Sequence, residues 1–260
     1  MIKILFFSDI MGRPGRTAVK RFLEENKSKI KPDLVIANAD NVASGRGPTA
    51  KTVDEMKDAG VDILTCGDHV FDQKEAEIVL QDSSKLIRAL NYPKGDPGQG
   101  FAIKKVGNTD VLIVSLLGRV WTAEGIDSPF SAMDEILKDR KEKVIIVDFH
   151  AEATSEKIAL NHDLAGRVSA VIGTHTHVMT ADERILKEHT AVISDSGFNG
   201  PYDSVIGVKS EQSIARFRTA MPVNFDLADG PVQVNAVLLE IDEDTGQAKS
   251  IKRIQEIFEN

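Results

Sequence analysis

The chain has 260 residues, with 32 Lys or Arg against 40 Asp or Glu, a formal charge of −8 with His neutral. Hydrophobic residues make up 42% and charged residues 28%, a globular balance with room for a sizeable core, which excludes disorder and collagen. The lone cysteine, Cys66, excludes an intrachain disulfide and a multi-cysteine zinc knuckle, and the acid excess argues against a surface that coats nucleic-acid backbones.

Short apolar runs rich in Val and Ile alternate with segments of helical period. Ile2 to Phe7 reads as the first strand, and Pro14 fits the first turn of a helix running to about Ser28. Asp33 to Asn38 reads as the second strand. Thr52 to Glu55 has capping-box spacing, with Val53, Met56 and Ala59 on one helical face and Gly60 as the stop. Strands are expected at Asp62 to Cys66, Val111 to Leu117, Val144 to His150 and Ala170 to Thr174. Thr154 is placed to cap a helix from Ser155 to about Asn161. The nearly continuous apolarity of these strands predicts cover on both faces. The last third reads as strands at Ala191 to Ser194, Val223 to Leu227, Val232 to Ile241 and Lys249 to Ile257, with few helices between. Two packed sheets with helices outside accommodate the whole pattern.

No segment approaches the roughly 18 consecutive apolar residues of a membrane span. The apolar run at the amino terminus stops at Ser8 and Asp9, too short for a signal peptide. A cytoplasmic location without a membrane partner is expected. No internal repeat or long linker divides the chain, so residues 1–260 are expected to form one domain. The Lys-rich stretches near Lys29 and Lys141 read as solvated faces rather than nucleic-acid patches.

The informative feature is where Asp, Asn and His fall relative to strand ends, because functional groups in such sheets gather beyond the carboxyl ends of strands. Asp9 ends the first strand, Asp40 and Asn41 follow the second, and Asp68 and His69 follow the third. His150 ends another, and His175 and His177 follow Ala170 to Thr174. Each alone has an ordinary explanation: Asp and Asn form turns, and a single His is a common half-buried residue. In an extended chain, residues i and i+2 share a side, which would place the imidazoles of His175 and His177 together. Three carboxylates converging without a cation would repel and raise one another's pKa values. A metal site removes that conflict and holds histidines neutral. The groups outnumber the ligands of one tetrahedral ion. An oxygen and imidazole shell suits Mn, Fe, Zn or another first-row ion, and two metals sharing a carboxylate make a binuclear hydrolase the leading reading.

Two rival motifs fail. Gly45 to Thr52 nearly spells a nucleotide-binding phosphate loop, but Ala50 replaces the second glycine, Pro48 removes a backbone donor and no strand directly precedes it. Gly12-Arg-Pro-Gly15 is not a dinucleotide-binding fingerprint either. Cys66 has no base partner beyond neighbouring His69 and reads as buried packing.

Four stretches carry a resemblance: SDIMGRPGR (Ser8 to Arg16), DFHAEATSEK (Asp148 to Lys157), GTHTHVMTAD (Gly173 to Asp182) and SDSGFNGPYDSVIG (Ser194 to Gly207). With the order of acids and histidines above, the chain resembles the calcineurin-like metallophosphoesterases, and more closely their YmdB-like branch, related to 2′,3′-cyclic-nucleotide phosphodiesterases. The resemblance implies a four-layer α/β/β/α sandwich and two divalent ions, Fe or Mn before Zn. It further implies hydrolysis of a small phosphodiester or a 2′,3′- or 3′,5′-cyclic nucleotide by a dinuclear metal-activated hydroxide. It places Asp9, His177 and Asn41 at the first metal, Asp40 as the bridge, and Asp68, His150 and His175 at the second. It makes His69 the catalytic residue, an acid or charge stabiliser beside the phosphate. The segment from Gly197 to Tyr202 is expected as a mobile part of the substrate wall.

Three positions depart from the patterns. Met11 stands where the wider superfamily has a ligand His, a loss the YmdB-like branch shares. Asp40 stands where the branch has Glu, and Asp68 where it has Asn. The extra charge at Asp68 is expected to tighten metal binding and to oppose an anionic substrate. A phosphomonoesterase on the same centre and a low-turnover metal- or nucleotide-binding regulator are the alternatives.

Overall fold

The computed structural model describes residues 1–259. The first half lays down β1 (Ile2–Phe7), β2 (Asp9–Ile10), α1 (Gly12–Ile30), β3 (Leu34–Asn38), α2 (Ala50–Asp58), β4 (Ile63–Thr65), α3 (Ala76–Val79) and β5 (Leu86–Ile87). The chain then forms β6 (Phe101–Val106), β7 (Thr109–Leu117), α4 (Pro129–Leu137), β8 (Val144–His150), α5 (Thr154–Asp163) and β9 (Ala170–Thr174). Last come β10 (Arg184–Ile185), β11 (Ala191–Ile193), β12 (Phe198–Pro201), α6 (Ser210–Thr219), β13 (Val232–Ile241) and β14 (Ala248–Phe258).

Two sheets result. One runs β2-β12-β13-β1-β3-β4-β5 with β14 also on β13, and the other runs β10-β11-β9-β8-β7-β6. Strands β1, β3, β4 and β5 are mutually parallel, as are β7, β8, β9 and β11. Parallel strands are buried on both faces, and period-2 alternation divides each between two cores. In β1, Ile4 and Phe6 meet Ile113, Ile146 and Ile172 of the facing sheet. Leu5 and Phe7 point the other way, onto Val19 and Phe22 of α1 and Met56 of α2. On the far side, Val114, Val147 and Phe149 meet Met133 of α4 and Leu160 of α5. The layers are therefore α/β/β/α, the expected sandwich. Burying each such side chain contributes about 1.5–3 kcal/mol.

Local corrections have physical causes. Thr49, not Thr52, caps α2: Thr49 Oγ1 accepts from the Thr52 N–H at 3.2 Å, and Thr52 Oγ1 accepts from the Thr49 N–H at 2.9 Å. Starting there brings Ala50 and Lys51, good helix formers, into the helix. Thr154 lies inside α5 and Ala153 takes the cap position without a side-chain bond. Val223 to Leu227 is not a strand; within it only Leu227 forms an isolated bridge, to Val208. The segment expected to be a mobile wall is instead strand β12, whose four residues are buried between β2 and β13; only Tyr202 beyond it is exposed. No helix among the described residues is long and apolar enough to cross a membrane.

Candidate metal centre

The carboxyl ends of β1, β3 and β4 face those of β8 and β9, and this meeting line collects every residue that the strand-end pattern singled out. Asp9, Asp40 and His150 are at most 1% exposed, and Asn41 and His177 are buried with them. Gly67 lets this happen: a Cβ there would lie 2.2 Å from His150 Cδ2.

Each histidine anchors one ring nitrogen outward and turns the other inward. His177 Nδ1 donates to the Ile206 carbonyl at 2.9 Å, and its ring stacks on Phe198 with centroids 5.0 Å apart. Thr174 Oγ1 donates to Asp148 Oδ1 at 2.7 Å, so it accepts from His150 Nδ1 at 2.9 Å. Asp148 in turn accepts from Asn38 Nδ2 at 2.9 Å and from the Thr65 hydroxyl. His175 Nε2 faces Glu152 Oε2 at 3.3 Å. Such outer partners fix tautomers and aim the free lone pair.

The inward atoms form two groups. His150 Nε2 lies 3.3 Å from Asp40 Oδ2, 3.2 Å from Asp68 Oδ1 and 3.1 Å from His175 Nδ1. His177 Nε2 lies 3.1 Å from Asn41 Oδ1 and 3.9 Å from Asp9 Oδ1. The Asn41 amide is oriented by donation from Nδ2 to the Gly45 carbonyl at 3.2 Å. Asp9 Oδ1, Asp40 Oδ2 and Asp68 Oδ1 are buried with no hydrogen-bond donor, although the second oxygens of Asp9 and Asp40 are satisfied. Asp9 Oδ2 accepts from the His175 N–H at 3.1 Å, and Asp40 Oδ1 accepts from the Gly67 and His69 N–H groups at 2.7 and 3.0 Å. The backbone thus holds these two carboxylates by one oxygen and leaves the other bare.

Charge follows from this crowding. Burial pushes Asp9 up to about 6, against the pull of His150 and His177. Burial also works against a charged His150, yet Asp40 and Asp9 draw its pKa well above the ordinary histidine value. For Asp40 and Asp68 burial is outweighed by His150, and both lie below the usual carboxylate range. Burial and the neighbouring His150 push His175 down to about 4. A proton on His150 Nε2 serves only Asp40 Oδ2 and Asp68 Oδ1, at 3.3 and 3.2 Å, whereas a cation at each of the two groups would serve all three bare oxygens. Asp68, His150 and His175 each offer a ligand atom within 4.8 Å of the others, and so do Asp40, Asp68 and His69. The donor set therefore fits a divalent cation. Cys66 is no ligand: it donates from Sγ to Asp40 Oδ1 at 3.2 Å, and burial and Asp40 hold its thiol well above the usual value.

The pairing of His175 and His177 differs from the extended-chain expectation. Both have positive φ, 103° and 61°, so the loop turns and sends the rings to different groups. Such backbone costs about 1–3 kcal/mol per residue and concentrates at functional sites. His69 stands beside the centre, a third exposed, with Nδ1 2.9 Å from Asp72 Oδ2. It lines a cleft of about 800 Å³ together with Asn41, Arg46, His177, Phe217 and Phe225. Met11 is buried and lines the same cleft. Sequence reasoning missed Asn38, Asp148, Thr174 and Glu152. Asp148 could have been found two residues before His150 on the same strand face, and Asn38 as a polar residue in a buried strand.

An α/β/β/α sandwich with acids and imidazoles at facing strand ends defines a metallophosphoesterase-type hydrolase. The sequence model of the YmdB-like protein family matches residues 5–254, and the chain belongs to that family. It is 42% identical over 255 residues to a 2′,3′-cyclic-nucleotide 2′-phosphodiesterase of Bacillus subtilis strain 168, covering 97% of this chain and 96% of the relative. A novel phosphatase from Mycoplasma pneumoniae superimposes with a TM-score of 0.94 at 35% identity, covering 100% and 94% of the two chains. A hypothetical protein from Thermus thermophilus gives 0.93 at 39% identity, covering 98% and 99%.

Proposed function

We propose that the chain hydrolyses phosphodiester bonds of small nucleotides, 2′,3′-cyclic and 3′,5′-cyclic nucleotides foremost, with two divalent ions, iron or manganese before zinc. The observation that carries this reading is the array of bare acceptors: three carboxylate oxygens without a donor, beside imidazole nitrogens and the Asn41 oxygen. The diesterase relative supports the substrate class. Asp9, Asn41 and His177 would hold one ion and Asp68, His150 and His175 the other, with Asp40 available to both. When bound, the ions acidify water and offset charge on the phosphoryl oxygens.

The chain's own residues do the rest. Thr174, Glu152 and the Ile206 carbonyl keep the outer nitrogens of His150, His175 and His177 engaged, so their inner nitrogens stay directed at the centre. The substrate enters the cleft beside His69 and His177, where Arg46 supplies positive charge and Phe217 and Phe225 supply apolar faces for the nucleoside. Asp72 accepts from His69 Nδ1 and leaves Nε2 free in the cleft. Doubly protonated, with its Nδ1–H held by Asp72, His69 gives its Nε2 proton to the departing ribose oxygen and is left neutral; without that proton the oxygen would leave as a costly alkoxide.

A second reading of His69 has its own observation: with Asp40 and Asp68 it forms a group of ligand-atom spacing, and there it would bind a cation instead of donating a proton. The function is tested by assaying 2′,3′-cyclic AMP, 3′,5′-cyclic AMP and a nucleoside monophosphate with Mn²⁺ or Fe²⁺ after chelation. Diester hydrolysis restored by metal is expected. Hydrolysis of the monoester alone would make the protein a phosphomonoesterase, and binding without turnover would make it a regulator.

A further inference from the structure

The loop carrying His175 and His177 is held from behind by two residues outside the ligand set. Lys157 of α5 is 2% exposed and Asp195, after β11, is 1% exposed. Lys157 Nζ donates to Asp195 Oδ2 at 2.6 Å and to the Thr174 carbonyl at 2.8 Å. Asp195 Oδ2 also accepts from the Thr176 N–H at 3.0 Å, and its Oδ1 accepts from the Gly197 N–H at 2.9 Å. The Asp195 backbone closes the far side: its N–H donates to Thr180 Oγ1 at 3.0 Å, and its carbonyl accepts from the Thr180 N–H at 3.0 Å. One ion pair thus fixes the residue before His175, the residue between the two histidines, and the start of the segment leading into β12. None of these bonds reaches the acceptor array itself.

We propose that Lys157 and Asp195 are positioning residues, which set His175 and His177 in their left-handed backbone before any ion arrives. Stability alone does not call for them, because an apolar pair of similar volume commonly serves a core as well as a buried ion pair does. An apolar pair could not accept from Thr176 and Gly197 and donate to Thr174 at the same time. The orienting role rests on the proposed metal function; the holding of the loop does not. Outer-shell partners of this kind change metal affinity by about 10–100-fold.

Lys157→Met alone strands a buried carboxylate and risks misfolding, so two other variants carry the test. Asp195→Asn keeps the volume, and Lys157→Met with Asp195→Leu removes both charges. Amide hydrogen exchange and the thermal midpoint are read on the metal-free proteins, followed by Mn²⁺ titration. In Asp195→Asn, about tenfold faster exchange at Thr176 and Gly197 and about tenfold weaker Mn²⁺ binding are expected. In the double variant the Thr174 carbonyl and the Thr176 and Gly197 N–H groups lose their partners, so the midpoint should fall and Mn²⁺ binding to the folded protein should stay weak. Wild-type exchange and affinity in Asp195→Asn, or full recovery of affinity in the double variant, would overturn the proposal. Should the wild type bind no Mn²⁺ while Asp195→Asn still speeds exchange, the metal function falls and the clamp on the loop stands.

Discussion

Asn41 Oδ1 and His177 Nε2 face each other 3.1 Å apart as two acceptors, because each has already spent its donor elsewhere, on the Gly45 and Ile206 carbonyls. That contact is favourable only with a cation or a proton between them. Together with the bare oxygens of Asp9, Asp40 and Asp68, it makes the folded state an acceptor for cations. A ligand at about 100 times its Kd stabilises by about 2.7 kcal/mol, and in a domain of this size each kcal/mol moves Tm by about 2–4 °C. Exhaustive chelation at pH 7 is expected to lower Tm by about 5–10 °C, with recovery on adding Mn²⁺. Calorimetry with and without chelator checks this.

Proton competition gives a pH dependence of definite sign. Asp9 is raised to about 6 by burial, so below pH 6 it is protonated and an ion must displace that proton. His150 is held well above the ordinary value by Asp40 and Asp9, against burial, so its proton is displaced throughout the neutral range. Mn²⁺ affinity should therefore fall as pH falls from 8 to 5, by about tenfold per unit while His150 alone must release a proton and approaching about a hundredfold per unit once Asp9 is protonated as well. Titration calorimetry in buffers of different ionisation enthalpy should show proton release. A flat profile would contradict the assignment of Asp9 and His150.

His69 separates the roles of proton donor and ligand. Its Nδ1 is engaged by Asp72 at 2.9 Å and it lines the cleft. His69→Ala is expected to lower kcat by about 10²–10⁴-fold, the span of general acid catalysis, with metal content unchanged. Loss of one ion per chain would move His69 to the ligand set with Asp40 and Asp68.

Asp68 is one of the two positions, with Asp40, at which the sequence departs from the branch pattern it resembles. Its Oδ1 faces His150 Nε2 at 3.2 Å and His175 Nδ1 at 3.8 Å, and an amide would keep an oxygen while removing the charge. Asp68→Asn should weaken Mn²⁺ binding about tenfold or more. At saturating metal it should lower KM for an anionic diester, because one negative charge leaves the site. No change in either constant would make Asp68 a spectator.

Much of this was legible because the chemistry sits where chain direction puts it. Parallel strands read as continuous apolar runs, and their carboxyl ends share one edge, so Asp9, Asp40, Asn41, Asp68, His69, His150, His175 and His177 could be grouped from position alone. The His-x-His pair misled, since i and i+2 share a side only in extended chain, and the positive φ of both residues cannot be read from their side chains. Strand β12 and helix α6 were missed for different reasons. Gly and Pro in Phe198–Pro201 mask a strand stabilised by pairing with β13, and α6 buries only Ser213, so it has little apolar periodicity. The partners Lys157 and Asp195 lie 38 residues apart and meet only through tertiary packing.

The most direct measurement is metal content coupled to turnover of 2′,3′-cyclic AMP on one preparation. About two ions per chain, hydrolysis of the cyclic diester to a monoester, loss of activity on chelation, and recovery with Mn²⁺ or Fe²⁺ are expected. A folded protein that carries no metal, ignores chelator and cleaves no diester would contradict it.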